Sequence, residues 1–209
     1  MSKPWAKRST RRPQLRQLHR HLIVCEDAKS AVDYLKSFEV SEDHVEMVVE
    51  GGAGNTDGVV ERALELRGHA EEQGTPYSKV WCVFDRDSFP AKNFNRAFQI
   101  ATPYRDVEII WANECFELWY LLHFAYRDTA ISRDDIYHEL SKASRLGKKY
   151  DKADQTVFVM LRDKLPTALR NARTLYDSYG AALRPERDNP STKVHILVDQ
   201  LLQLGALQV

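Results

Sequence analysis

The sequence predicts an α/β fold: a mainly parallel central sheet flanked by helices, continued by a C-terminal helical extension. Three observations carry this expectation. Residues 22–25 and 80–84 are apolar throughout rather than alternating, as strands buried on both faces are. Strand-like runs alternate with single helical patterns, which is the order of right-handed βαβ units. Beyond about residue 126 the strand-like runs give way to helical periodicity.

The elements follow in order. Leu22-Ile23-Val24-Cys25 is the first buried strand, and Ala31, Tyr34, Leu35 and Phe38 recur at helical spacing after it. Residues 45–49 form a second strand, broken by Gly51-Gly52-Ala53-Gly54. Val59, Ala63, Leu66 and Ala70 mark a second helix capped near Asn55 or Thr56. Residues 80–84 are the third strand, 93–101 a helix, and 107–111 the fourth strand. Cys115, Leu118, Trp119 and Leu122 mark the helix after it. In the extension, Ser132 caps a helix, residues 156–179 are helical with Pro166 as a break or new start, and Asn189-Pro190-Ser191-Thr192 opens a last helix that Gly205 ends. The chain thus divides into a basic arm at 1–20, an α/β domain at 21–125 and a helical extension at 126–209.

The 209 residues suffice for a real core, with 43% of them hydrophobic. Formal net charge is zero, but residues 1–20 carry seven Lys or Arg and no acid. Of 30 basic residues that leaves 23 against 30 acids, a net charge of −7 for the remainder. A basic arm before an acidic body fits either contact with phosphate or a solvated tail. The arm lacks the apolar stretch of a secretory signal, and no run is long enough to span a bilayer. A cytoplasmic protein without a membrane partner is the expectation. Cys25, Cys82 and Cys115 form no CxxC pair and read as reduced, buried small hydrophobes.

In parallel sheets, sites form beyond the C-terminal ends of the strands. Four loops collect there: Glu26, residues 51–56, residues 85–87 and residues 112–117. Asp85 and Asp87 follow a buried strand directly, as Glu26 follows another. Three converging carboxylates suit a hard divalent cation such as Mg²⁺. Glu26 is alternatively a general base, or a first-turn acid complementing a helix dipole. Lys29 faces the same rim or pairs with Asp33. Glu117 is a metal ligand or supports one from behind. Gly52, Gly54, Asn55 and Thr56 offer backbone N–H groups to a phosphate, or simply make a tight turn. Arg86 and the tail lysines Lys148, Lys149 and Lys152 are candidates for nucleic-acid contact, each alternatively a solvated surface charge. His123, six residues past Glu117, does not share its face; His195 on a helix is more often structural than catalytic, and the roles of both stay open.

Several segments together resemble the RloB-like family, which shares features with Toprim-type nucleases. They are Val24-Cys25-Glu26, residues 52–56, residues 80–87, residues 113–124, and Asn189-Pro190-Ser191-Thr192 with Val194-His195. Asp27 stands where the family pattern leads one to expect Gly, and Cys115 where Pro is familiar. The resemblance implies a Toprim-like Rossmannoid domain with Glu26, Asp85 and Asp87 as its acidic centre. It also implies a Mg²⁺-dependent nuclease, with Mn²⁺ as a substitute ion, cutting RNA (tRNA included) or DNA in a prokaryotic restriction or anti-phage system.

Two further readings stand beside this one. A non-catalytic module would bind nucleic acid, or would partner an ATPase or another defence protein. A phosphatase using an aspartyl nucleophile would need its DxD on the first strand, not the third. Whether the chain forms a homo-oligomer stays open.

Overall fold

The computed structural model describes residues 20–27, 29–38, 40, 45–49, 56–87 and 90–205. Five strands, β1 (His21–Cys25), β2 (Val45–Val49), β3 (Lys79–Asp85), β4 (Val107–Asn113) and β5 (Ser191–Thr192), form one sheet in the order β2-β1-β3-β4-β5. All pairs are parallel except β4 with β5. The expected α/β class with a mainly parallel sheet is therefore what the chain adopts.

The crossovers are α1 (Ser30–Lys36), α2 (Thr56–Glu72) and α3 (Ala91–Ala101), and α4 (Glu117–Leu122) follows β4. The extension adds α5 (Arg133–Leu140), α6 (Val157–Leu161), α7 (Leu165–Tyr179) and α8 (Val194–Gln203). A 3₁₀ turn at Arg162–Lys164 separates α6 from α7, and Pro166 falls in the first turn of α7, where its missing N–H costs nothing. Ser132 caps α5, accepting from the Asp135 N–H.

One element departs from expectation. Ser191 and Thr192, read as the opening of a helix, pair as a strand with Asn113 and Ala112. Thr192 then turns the chain, its hydroxyl oxygen accepting from the Val194 N–H at the start of α8. The extension thus completes the sheet as well as packing on it.

Alternate residues of a strand face opposite sides, and both sides here are buried. Leu22, Val24, Val80, Cys82, Phe84, Ile109 and Trp111 face a core closed by α2 and α3. Ile23, Cys25, Trp81, Val83 and Ile110 face a second core, closed by α1, α4 and the helices of the extension. That alternation positions the site. Asp85 continues the Trp81–Val83 side, so the side chains that meet it come from α1, α4 and the extension. No described helix is long and apolar enough to cross a membrane. The three cysteines are buried and free.

Candidate functional site

The register of the sheet brings the acids together. Cys25 pairs with Val83, and the Glu26 N–H donates to the Val83 carbonyl at 3.0 Å, so β1 stays in step with β3 as both run out. Glu26 and Asp85 therefore end adjacent strands at one edge. The chain then turns: the Arg86 N–H donates to Ala112 O at 2.9 Å and the Asp87 N–H to Glu114 O at 3.0 Å. Asp87 adopts φ +46°, a left-handed conformation that Asp tolerates better than bulkier residues.

Burial pushes the Glu26 carboxyl above the usual range, opposed by the backbone N–H of Asp85 and reinforced by the charges of Asp87 and Asp27. Asp85 is pushed much further, first by burial and then by Glu117, with Lys152 and Arg133 pulling the other way. Such shifts record negative charge crowded into a poorly solvated place.

Glu117, in the first turn of α4, is fully buried. Its Oε1 accepts from Ser30 Oγ at 2.7 Å, from the Tyr150 hydroxyl at 2.9 Å and from the Tyr137 hydroxyl at 3.5 Å. Its Oε2 has no hydrogen-bond partner among the described residues. A buried carboxylate oxygen without a donor is costly, and its presence beside other acids is what a cation-binding centre would show.

Two cations from the extension serve these acids. Arg133 Nη2 lies 3.0 Å from Asp87 and 3.9 Å from Asp85. Lys152 Nζ lies 3.2 Å from Asp27 and 3.7 Å from Glu117. Burial acts to lower the Lys152 amine, but Glu117 and Asp27 outweigh it and hold it above its ordinary value. Sequence alone does not single out Arg133, which shows there only as a charged residue in the first turn of a helix far along the chain. Tyr137, inside α5, and Tyr150, in the turn-rich segment after it, carry no local signal of a place beside Glu117.

The other expected residues fall as follows. Lys29 is the exposed N-cap position of α1, its backbone N–H donating to Asp27 Oδ1 at 3.0 Å. Arg86 turns away from the acids, donating to Glu186 O at 2.7 Å and Asp87 O at 2.9 Å, so it braces the turn. Lys148 pairs with Asp154 at 2.5 Å, whereas Lys149 is exposed. Thr56 begins α2 and is buried, while Gly52, Gly54 and Asn55 lie outside the described residues. His123 and His195 are buried away from the acids. The His123 ring lies between the Tyr34 hydroxyl at 3.1 Å and the Trp119 carbonyl at 2.9 Å.

Glu26, Asp85, Asp87 and Glu117 offer the all-oxygen donor set of a hard divalent ion. Among the described residues, however, no three His, Cys, Asp or Glu side chains are arranged as a finished metal cage. The acids share a rim and a field, with the Arg133 guanidinium between Asp85 and Asp87.

No curated protein and no solved structure matches this chain. A family model described as RloB-like protein matches residues 21–201, from the first residue of β1 into α8. The chain belongs to the RloB-like family.

Proposed function

We propose that this chain is a Mg²⁺-dependent nuclease on a Toprim-like scaffold, hydrolysing phosphodiester bonds of RNA or DNA in a prokaryotic anti-phage system. One observation carries the reading. Glu26, Asp27, Asp85, Asp87 and Glu117 are crowded at one sheet edge and, among the described contacts, are served by two cations, Arg133 and Lys152. Carboxylates in that excess, Glu117 buried and the others half-buried, call for further positive charge, and divalent cations supply it.

Asp85 and Asp87 would hold the ion, with Glu26 as a third ligand. Bound Mg²⁺ supplies Lewis-acid charge to phosphoryl oxygens and lowers the pKa of a coordinated water. Glu26 is alternatively the acceptor of the attacking water's proton, a role its raised affinity for protons suits. Glu117, fixed by Ser30, Tyr137 and Tyr150, keeps a second carboxylate behind Asp85. Lys152, beside Asp27 and Glu117, and Lys29 would steady the phosphate backbone.

The test is incubation of the purified protein with total tRNA, mRNA and plasmid, with Mg²⁺, with Mn²⁺ and with excess chelator. Metal-dependent cleavage that Asp85→Asn abolishes is the expected result. Full activity of that variant, or activity in chelator, would overturn the reading. Arg133 favours the second reading, a non-catalytic module for nucleic acid or a partner such as an ATPase, because it already neutralises part of the acidic pair. A Mg²⁺-induced thermal shift that Asp87→Ala removes decides for the first reading.

A further inference from the structure

The turn-rich segment between α5 and α6 builds a feature that the acidic centre does not account for. A cavity of about 470 Å³ is lined by Tyr137, Lys149, Tyr150, Asp151 and Lys152. That volume lies in the range of small-molecule sites, roughly 300–1,000 Å³. Its walls combine two aromatic rings, two ammonium groups and a carboxylate. The rings of Tyr137 and Tyr150 stand 5.0 Å apart, tilted by 52°. Both hydroxyls point to Glu117 Oε1, at 3.5 and 2.9 Å, so the rings are held at their far ends. A ring already fixed in place loses little entropy when something stacks on it. Lys152 lines the cavity and also reaches Glu117 and Asp27, so the cavity opens directly beside the acids.

We infer that this cavity is a subsite for one unpaired nucleotide next to the phosphate that is cut. The Tyr137 ring, less buried than Tyr150 and backed by it, stacks on the base, Lys149 and Lys152 hold the flanking phosphates, and the Asp151 carboxylate accepts from an exocyclic amino group. Every base has a π-face, so stacking accepts any of them, whereas the carboxylate favours bases bearing an amino group. A base inside a duplex is not available to such a pocket without leaving its stack. The substrate class is therefore single-stranded or looped nucleic acid. This inference rests on the nuclease reading and narrows it.

The test uses short single-stranded RNA and DNA probes carrying one 2-aminopurine, beside the same sequences as duplexes. Binding to the full chain is followed by fluorescence in Ca²⁺. Capture of either strand with quenching of the 2-aminopurine, about 10-fold or more tighter than the duplex, is expected. Tyr137→Ala should lose the quench and about 10-fold in affinity, the scale of one stacked base, while Tyr137→Phe keeps both. Binding of neither strand, equal binding of duplex, or unaltered quench and affinity in Tyr137→Ala would overturn the inference. Should Tyr137→Ala fail to fold, Lys149→Glu at an exposed position replaces it: several-fold weaker binding supports the subsite and unchanged binding removes it. The two levels separate cleanly. A wild-type chain that quenches through Tyr137 but cuts nothing in Mg²⁺ loses the nuclease reading and keeps the pocket. One that cuts while binding independently of Tyr137 does the reverse.

Discussion

Arg133 reaches back from the first turn of α5 to put its guanidinium 3.0 Å from the Asp87 carboxylate, just past the tip of β3. The two stand 46 positions apart in the sequence, so the contact fastens the extension to the sheet edge as well as screening charge. Both side chains are partly exposed, at 31% and 25%. Arg133→Gln should therefore cost about 1–3 kcal/mol in metal-free protein, less than a fully buried pair would. Added Mg²⁺ should recover more stability in the variant than in the wild type, since the same acids then lack their guanidinium. Urea denaturation with and without the ion measures both quantities. Equal Mg²⁺ gains in the two proteins would show that Arg133 and the ion do not share ligands.

Asp85→Asn keeps the side-chain shape and removes one charge from a group crowded by Glu117 and Glu26. The metal-free protein should be no less stable than the wild type, because a like-charge contact and a desolvation cost both disappear. Its Mg²⁺-dependent thermal shift should vanish together with cleavage. A variant that is strongly destabilised without metal would show instead that Asp85 is held by attractive partners.

Glu117 depends on its hydroxyl donors. Ser30→Ala deletes the closest of them, at 2.7 Å, and leaves a fully buried carboxylate with the Tyr150 hydroxyl, a distant Tyr137 and the Lys152 ammonium at 3.7 Å. A loss of about 1–3 kcal/mol is expected in urea titration, the usual cost of stripping a partner from a buried polar group. Ser30→Thr, which preserves the hydroxyl, should recover part of it. Loss below about 0.5 kcal/mol in Ser30→Ala would mean that water replaces the Ser30 hydroxyl at Glu117 in the folded chain.

Much of this arrangement was legible beforehand, for local reasons. Apolar runs such as 22–25 and 80–84 announce doubly buried strands, and the residues just past them, Glu26 and Asp85, inherit a place at the sheet edge from chain direction alone. What periodicity does not carry is long-range pairing. Nothing local to Arg133, Tyr137 or Tyr150 says that they meet residues of α1, β3 and α4. Those contacts arise because the extension covers the face to which Asp85 belongs. Arg86 shows the converse: adjacent to the acids in sequence, it is drawn off by the Glu186 carbonyl. Ser191-Thr192 reads as a helix entry because two residues give no period, and their strand exists only through the Ala112 and Asn113 edge.

Two of the buried histidines, His123 and His195, set an acid limit on the fold. Burial lowers His123 and His195 from the ordinary 6.5 to about 4. Both are therefore neutral in the folded chain near pH 7, and the unfolded chain binds the extra protons first. The stability carried by these two histidines should be fully present above about pH 7, fall as pH drops through 6.5, and level off below about 4, while the raised carboxyls of Glu26 and Asp85 act in the opposite direction. Each histidine contributes up to about 3 kcal/mol to that fall. His195 is the cleaner probe, because its Nδ1 has no hydrogen-bond partner among the described residues and its ring packs against Tyr176 at 5.4 Å. Asp199 and Asp177 raise its proton affinity while Arg173 and Lys193 lower it, so the neighbouring charges partly offset one another and burial dominates. His195→Leu should then flatten the decline between pH 6.5 and 4 while leaving stability at pH 7.5 nearly unchanged. Urea midpoints at several pH values in that window give the slope, and a variant that declines as steeply as the wild type would place the acid sensitivity elsewhere.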